Sequence, residues 1–204
     1  SHYLDMIMQA LYARAHANPL NLAYHSCVPC LYDNGDGTPR AVRYALLPGN
    51  RETAKAGPFT PNYLREAMKA TLENTSVSFD FAIQFQTDPR TMPIENAAVA
   101  WSTRESPFIP VARLELHAQR FDYPAQDAFA RNITINPWHT IAEHRPLGNQ
   151  NRARRAIYFA TSRTRQAING EVHIEPTGRE QFDPHQSEPD AVPGPVREPH
   201  DEPV

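Results

Sequence analysis

The sequence lacks several features that would place it in a class at once. It contains no run of about 18 apolar residues, which excludes a membrane-spanning helix, and no internal repeat. The opening segment SHYLDMIMQALYARAHANPL has no basic stretch followed by a long apolar core, so we expect no signal peptide. The first residue is not methionine, and we interpret the chain as a processed product or a fragment. With no targeting segment in view, we expect a cytoplasmic location.

Cysteine is scarce, with only two residues, and these form one C-x-x-C from Cys27 to Cys30. That pattern allows thiol redox chemistry or one half of a zinc site. A second cysteine pair is missing, and no helix start follows that would lower the pKa of a thiol. We therefore favour the interpretation of two small apolar residues in a strand.

Charge of one sign is not in large excess, since the 204 residues carry a formal net charge of −3. From Glu171 to the end there are nine acidic residues and two arginines, a net charge of −7 that leaves +4 for the first 170 residues. After Pro176 the sequence contains six further prolines and only one aromatic residue, Phe182. We predict that residues 176–204 form a disordered acidic tail, because they cannot bury enough apolar surface to offset chain entropy.

Local patterns in the first half predict both helices and strands. Residues 3–17 have the spacing of an amphipathic helix. Residues 22–32 and 39–47 are predicted strands, joined by the hairpin-like segment DNGDGTP. Thr60 and Pro61 have the chemistry of an N-cap and first turn for a helix to about Asn74.

The second half continues with strands and ends in helices. The segment SVSFDFAIQFQT alternates strictly: one face carries Ser78, Asp80, Gln84 and Gln86, and the other carries the apolar residues Val77, Phe79, Phe81, Ile83 and Phe85. Residues 109–121 are a predicted strand with Leu114 and Leu116 inward. A short helix is predicted in PAQDAFAR, and a long one from Asn149 to Asn169, stopped by Gly170. About four such strands leave two open edges, so we predict an α+β fold with part of a larger antiparallel sheet.

The long helix carries an unusual stripe. Residues 136–166 contain six arginines and one acidic residue, Glu143. On a helical wheel, Arg154, Tyr158, Thr161 and Arg165 fall on one face. Arginine donors beside a phenol favour its ionised form, and a phenolate is a hard ligand for ferric iron and one of the proximal ligands of haem. A second arginine in the stripe has the fork geometry to meet a haem propionate.

Two other interpretations of this helix stay open from the residues alone. An arginine-rich helix is often a solvated face, and it can also grip nucleic-acid phosphates. No aromatic platform accompanies the arginines, and the negative tail would compete with a nucleic acid, so we expect no nucleic-acid partner.

A longer signature resembles a known family. The segment NPWHTIAEHRPLGNQNRARRAIY resembles the proximal segment of the catalase superfamily, especially its smaller, divergent haem-dependent peroxidase branch. The upstream segments MPIENAAVAW and SPFIPVARLELHAQRF look like that branch in the same order, as do Tyr24 to Ser26 with AVRYALLPG. The resemblance covers most of residues 19–169. It implies that residues 1–175 are the C-terminal half of a catalase-like domain: part of the antiparallel barrel, its flanking helices and the proximal haem helix.

The resemblance also implies roles for individual residues. Tyr158 would be the axial ligand of the iron of haem b, and Arg154 would hydrogen-bond its oxygen. Arg165 matches the family's arginine at a haem propionate, and Thr161 lies on the same cofactor-binding stripe. Large catalases place a histidine and an aspartate where this chain has Ala45 and Gly148. These departures favour the peroxidase-like branch.

The family's distal histidine lies in an R-x-x-H strand near the N-terminal side, and no histidine here has that context. We expect His139 and His144 to order the loop before the long helix, with a role beside the haem left open. The resemblance implies breakdown of hydrogen peroxide or an organic hydroperoxide, with the distal wall supplied by an N-terminal half or a second chain. A homo-oligomer is left open. The alternative is a truncated, non-enzymatic fragment with weak or no haem binding.

Overall fold

A computed structural model describes residue 7 and residues 16–50 and 60–182 of the chain. The predicted helix over residues 3–17 therefore lies almost wholly outside the described residues. So does the predicted disordered tail from residue 183 onward. Within the described part, no helix is both long enough and apolar enough to cross a membrane.

The strands form one open sheet. They are β1 (Tyr24–His25), β2 (Cys30–Tyr32), β3 (Arg40–Pro48), β4 (Val77–Phe85) and β5 (Ile109–Leu116). Their order is β1-β3-β4-β5, and β2 also pairs with β3. Both β1 and β2 run antiparallel to β3. The predicted partial antiparallel sheet is thus confirmed, and among the described strands it does not close into a barrel.

The predicted strand over residues 22–32 was wrong in its continuity, because it breaks into β1 and β2. Pro29 has no N–H for a ladder bond, and its carbonyl instead accepts from the backbone N–H of Leu147 at 3.0 Å. The predicted hairpin between β2 and β3 is confirmed, with Cys30 opposite Val42. Its loop includes Gly35, whose φ of 80° is unfavourable for residues with a side chain.

Strand β4 is confirmed, but its predicted polar face is only partly polar. Val77, Phe79 and Ile83 are buried as expected. Gln84 was expected to face solvent and is instead fully buried. A loop covers it, since its amide nitrogen donates to the Ser106 carbonyl at 2.9 Å. Backbone carbonyls thus replace water for the amide nitrogen, while the amide oxygen is buried without a hydrogen-bond partner.

Strand β5 ends at Leu116, short of the predicted residue 121. The prediction that Leu114 points into the core was wrong, because this side chain is 41% exposed. Ile109 and Val111 are also exposed, at 48% and 53%. Within the part of the chain that the structure describes, about half of the surface of each of these apolar residues is therefore open to solvent.

Three α-helices complete the described fold: α1 (Tyr63–Leu72), α2 (Pro124–Asn132) and α3 (Asn149–Asn169). The predicted N-cap of α1 was wrong, since Asn62 precedes the helix and Thr60 uses its hydroxyl to bind Glu66. The predictions of α2 and α3 are confirmed. Helix α3 ends at Gly170, whose φ of 66° is the left-handed conformation of a C-cap.

The chain forms two compact units. The first comprises Ser1–His25, Ala45–Ala82 and Pro110–Arg120, and its buried residues include Leu72 and Phe79. The second comprises Ser26–Tyr44, Ile83–Ile109 and Phe121–Val204, and its core gathers Ala41, Met92 and Trp101, with Ile94 and Leu147 packed against it. All residues of the candidate site belong to the second unit.

Candidate functional site

The start of α3 is fixed by an acidic side chain from a distant loop. The Asn149 N–H donates to Glu95 Oε2 at 2.7 Å. Arg152 pairs with the same carboxylate through both guanidinium ends, at 3.1 and 3.0 Å. The Arg152 hydrogen bonds, followed by the Asn149 N–H, hold the pKa of the Glu95 carboxyl below its ordinary value. A carboxylate at a helix N-terminus also complements the helix dipole.

Gly148, just before α3, occupies a conformation reserved for glycine. Its φ of 86° and ψ of 163° lie outside the regions that other residues adopt readily. A Cβ at this position would lie 2.7 Å from the Ile94 carbonyl oxygen. The absence of an aspartate here therefore has a structural reason, because no side chain fits the backbone as it runs.

The loop before α3 is anchored on its first turn. Trp138 donates its indole N–H to the Asn151 carbonyl at 2.7 Å. Asn151 is buried, and its amide donates to the carbonyls of Pro29 at 3.1 Å and Leu147 at 2.9 Å. The guanidinium of Arg155 lies 5.4 Å from the centre of the Trp138 ring. These contacts fix where α3 begins and which residues face each side.

The two loop histidines contact different parts of the second unit. His144 Nδ1 lies 3.3 Å from the Tyr44 hydroxyl. His139 Nδ1 lies 3.7 Å from Glu175 Oε2. These contacts are what a loop-ordering role requires, and neither histidine lines the cavity described below.

Arg154 and Tyr158 are in direct contact on α3. A guanidinium nitrogen of Arg154 donates to the Tyr158 hydroxyl at 3.4 Å, a long hydrogen bond. The guanidinium carbon lies 5.5 Å from the centre of the tyrosine ring. The cation is thus held beside both the oxygen and the ring of the phenol.

Three of the four stripe residues line one open cavity of about 260 Å³. Its wall consists of Ala130, Ile133, Thr134, Ile135, Tyr158, Thr161, Ser162 and Arg165. Arg154 is not part of the wall and reaches Tyr158 from outside it. The structure therefore brings Tyr158, Thr161 and Arg165 together, with Arg154 behind the phenol.

Thr161 and Arg165 already have partners within the protein. Thr161 donates its hydroxyl to the carbonyls of Ile157 at 2.7 Å and Tyr158 at 3.2 Å, the usual back-bonding of a helical threonine. Arg165 is exposed and donates to the Ile133 carbonyl at 2.8 Å. This bond holds the guanidinium at the cavity and leaves its other N–H groups for an anion.

The opposite wall of the cavity was missed from the sequence. Thr134 is buried, and its hydroxyl lies 2.9 Å from His173 Nδ1. The other nitrogen of His173 lies 2.7 Å from Glu175 Oε1. The buried Gln166 of α3 joins them, donating to the Asn132 carbonyl at 2.9 Å. The only local signal was the apolar-polar alternation of Ile133-Thr134-Ile135 before the NPWH segment.

The C-x-x-C cysteines are both free thiols, and only one lies in a strand. Cys27 is exposed in the bend between β1 and β2, so the interpretation of two strand residues was wrong for it. Cys30 begins β2 and is half-buried. Burial raises the pKa of its thiol, while the positive charge of Arg154 opposes that rise.

The donor set around the cavity fits one side of a haem. The Tyr158 phenol can bind iron, Arg165 can bind a carboxylate, and Ala130, Ile133 and Ile135 offer apolar contact. At about 260 Å³ the cavity is smaller than the roughly 300–1,000 Å³ of typical ligand sites, so these residues alone do not enclose a haem. Among the described residues, no cluster of three or more histidine, cysteine or acidic side chains could hold a metal ion.

Comparison of the sequence with family models and with curated proteins finds no match.

The solved structures that this chain resembles include catalases. The chain matches a fungal catalase with a TM-score of 0.61 and 15% identity, covering 90% of this chain and 45% of that one. It matches catalase A from Saccharomyces cerevisiae at 0.59 and 14%, covering 91% and 48%. A bacterial catalase matches at 0.56 and 17%, covering 92% and 40%. The chain spans less than half the length of each of these proteins, and over that length its fold is catalase-like.

Proposed function

We propose that this chain forms the proximal haem wall of a protein that breaks down hydroperoxides, and that it belongs to the smaller, peroxidase-like branch of the catalase superfamily. Tyr158 would hold the iron of haem b through its phenol oxygen. The observation that carries the proposal is the Arg154–Tyr158 contact at 3.4 Å beside a cavity that also holds Arg165. The catalase-like fold supports it.

Each residue of the site has a distinct task in this proposal. Haem b, when bound, supplies the iron centre at which the O–O bond of a hydroperoxide is cleaved. Arg154 places a positive charge beside the Tyr158 oxygen and so favours the anionic ligand. Arg165 would bind a propionate, and Thr161 lies between Tyr158 and Arg165 on the same face of α3.

A partner surface is part of the proposal. Both faces of β5 carry exposed apolar residues, Ile109 and Val111 on one face and Leu114 on the other. We propose that the N-terminal half of the barrel, in the same protein or as a second chain, covers these residues and brings the distal histidine. The share of the catalase chains that this chain spans, 40–48%, supports that choice. Hydrogen peroxide and organic hydroperoxides remain the two candidate substrates.

A haemin titration tests the proposal. The wild-type chain is expected to give a high-spin ferric spectrum of the tyrosinate type, and Tyr158→Phe is expected to abolish it. Tyr63→Phe, the same chemical change on α1, serves as the control and should leave the spectrum as it is. Identical spectra for wild type and Tyr158→Phe would remove Tyr158 as the ligand.

The second candidate is a non-enzymatic chain that binds haem weakly or not at all. The exposed surface of β5 and the one-sided cavity favour it. Peroxide consumption by the haem-loaded chain, with and without an added N-terminal half, separates the two. We expect little consumption by the chain alone and a gain on complementation. Spectral haem binding without any gain would favour the non-enzymatic candidate.

A further inference from the structure

A group of aromatic and sulfur side chains shares one face of the β2–β3 hairpin. The register places Cys30 opposite Val42 and Tyr32 opposite Arg40. Since side chains alternate along strands, these four and Tyr44 point to the same side of the sheet. We call this set the hairpin face. Three of its members, Cys30, Tyr32 and Tyr44, can be oxidised by one electron.

His144 lies against the hairpin face. Its Nδ1 is 3.3 Å from the Tyr44 hydroxyl, and its ring contacts that of Tyr32 edge-on at 5.8 Å between centres. The backbone around it is fixed, because the N–H groups of Leu31 and Asp33 donate to the carbonyls of Arg145 at 2.8 Å and Glu143 at 3.1 Å. These backbone hydrogen bonds therefore hold the His144 imidazole close to Tyr44.

One end of the hairpin face reaches the protein surface. Tyr32 packs edge-on against Phe85 at 5.6 Å. The exposed Arg40 lies over the Phe85 ring at 4.2 Å and over the Tyr32 ring at 6.0 Å. A flat aromatic molecule can stack on these groups from solvent, since rings and guanidinium planes both offer faces to it.

The other end adjoins the start of α3, since Cys30 forms a β-bridge with Pro146 and the Pro29 carbonyl accepts from the Asn151 amide at 3.1 Å. The positive charge of Arg154, which contacts Tyr158, acts on Cys30. Burial, followed by the charges of Cys30 and Tyr32, raises the pKa of Tyr44 to about 12. Tyr44 is thus a protonated phenol at neutral pH. Loss of an electron from such a phenol requires a nearby base for its proton, and His144 Nδ1 is in hydrogen-bond reach.

We propose that Tyr44 is a redox-active tyrosine that carries oxidising equivalents from the haem side of α3 to phenolic reductants at Tyr32, Phe85 and Arg40. Tyr44 gives up one electron while its proton moves to His144 Nδ1. A phenol from solvent then returns an electron to Tyr44 while His144 returns the proton, and the phenol's own proton is released to solvent, from which the reduction of the hydroperoxide takes up its protons. This inference rests on the proposed function and names its second substrate class.

The electrons and protons of this reaction balance when the hydroperoxide is the oxidant. Cleavage of one O–O bond consumes two electrons and two protons and yields an alcohol, or water, and one further water. Two phenol molecules supply both electrons and both protons in two passes through Tyr44, and each becomes a phenoxyl radical. Tyr44 and His144 return to their starting states after each pass.

Freeze-quench electron paramagnetic resonance on the haem-loaded chain, complemented with the N-terminal half, tests the proposal. After addition of hydrogen peroxide, a tyrosyl radical signal is expected in the wild type, lost in Tyr44→Phe, and consumed when 4-methylphenol is added. Tyr24→Phe is the control, because the Tyr24 hydroxyl donates to the Pro19 carbonyl at 2.8 Å and has no imidazole partner there. A signal of unchanged yield in Tyr44→Phe would overturn the proposal.

His144→Gln tests the base separately, since glutamine keeps a hydrogen-bonding group but cannot accept a proton. Radical formation is expected to slow by roughly 10²-fold, the usual contribution of a positioned base. An unchanged rate would overturn the role of His144. The radical of the wild-type protein can also be trapped with a nitroso compound. Peptide mapping of the adduct then identifies the residue that carries the radical, without any variant. Adducts elsewhere with none on Tyr44 would also overturn the proposal.

A further experiment distinguishes failure of the proposed haem function from failure of the Tyr44 proposal. If haemin does not bind, the radical can be generated with a photo-oxidised ruthenium complex and persulfate, which needs no haem. Tyr44 adducts formed in preference to Tyr24 adducts would then support the Tyr44–His144 pair while the haem assignment falls. Haem binding and peroxide reaction without any Tyr44 radical would keep the proposed function and refute this inference.

Discussion

Arg154 lies one helical turn before Tyr158, and its guanidinium contacts the phenol oxygen at 3.4 Å while its carbon lies 5.5 Å from the ring centre. Both contacts come from residues four apart on α3, so helix geometry alone brings them together. The cation lies behind the phenol and outside the cavity wall. A ligand that approaches Tyr158 from the cavity therefore does not have to displace Arg154.

Arg154→Gln is expected to weaken haemin binding without abolishing it. The variant keeps a neutral donor near the phenol but loses the charge, and hydrogen bonds to charged groups contribute roughly 1.5–3 kcal/mol. The dissociation constant for haemin should rise roughly tenfold to a hundredfold. Spectral titration measures it, with Arg163→Gln as the control on another side of α3. Equal affinities for wild type and Arg154→Gln would show that the contact does not support the ligand.

Gly148→Ala is expected to destabilise the protein by about 2–5 kcal/mol, as backbone strain and steric overlap add. The new Cβ would lie 2.7 Å from the Ile94 carbonyl, which is backbone and cannot swing away. Gly170→Ala is the matched control, because that glycine has a φ of 66° and open space around it. It should cost about 1–2 kcal/mol. Urea unfolding measures both, and equal losses would refute the steric argument.

The sequence was sufficient for elements whose ends are set locally. Helix α3 begins at Asn149 and ends at Asn169 as predicted, because Gly170 supplies the left-handed cap within the same segment. The alternation of Val77 to Phe85 likewise gave β4. Both signals lie within one element, where spacing and capping chemistry act directly.

Features that depend on distant segments could not be predicted. Gln84 has the pattern of a solvent-facing residue, and only the carbonyls of a loop about twenty positions later make its burial acceptable. The Glu95–Arg152 pair joins residues 57 positions apart. The cavity wall at Thr134 depends on His173, from the segment after α3. A single sequence carries no signal for such pairings, because each residue alone has many equivalent partners.

His173→Phe is expected to loosen the wall of the cavity. The substitution removes the imidazole nitrogen 2.9 Å from the buried Thr134 hydroxyl and leaves that hydroxyl only the long contact from Gln166 Nε2 at 3.4 Å, at a cost of about 1–3 kcal/mol. The Ile174 N–H, which donates to the Asn132 carbonyl at 3.2 Å, should lose protection against hydrogen exchange. His117→Phe, at an exposed position, should leave that protection as it is. Equal protection of Ile174 in wild type and His173→Phe would contradict the structural role of His173.

Glu95→Gln is expected to destabilise the start of α3 in a pH-dependent way. Hydrogen bonds from Arg152 and then from the Asn149 N–H lower the pKa of Glu95 from its ordinary value of 4.5. Because the pKa is lower in the folded protein, the carboxylate adds stability that is fully present above pH 4.5 and is lost as the pH falls through the folded value. The melting temperature of Glu95→Gln should therefore lie below that of wild type at pH 7, and the gap should close in acid. Arg152→Gln and the double variant complete the cycle, and a gap that stays the same from pH 7 down into acid that protonates the wild-type carboxylate would contradict the clamp.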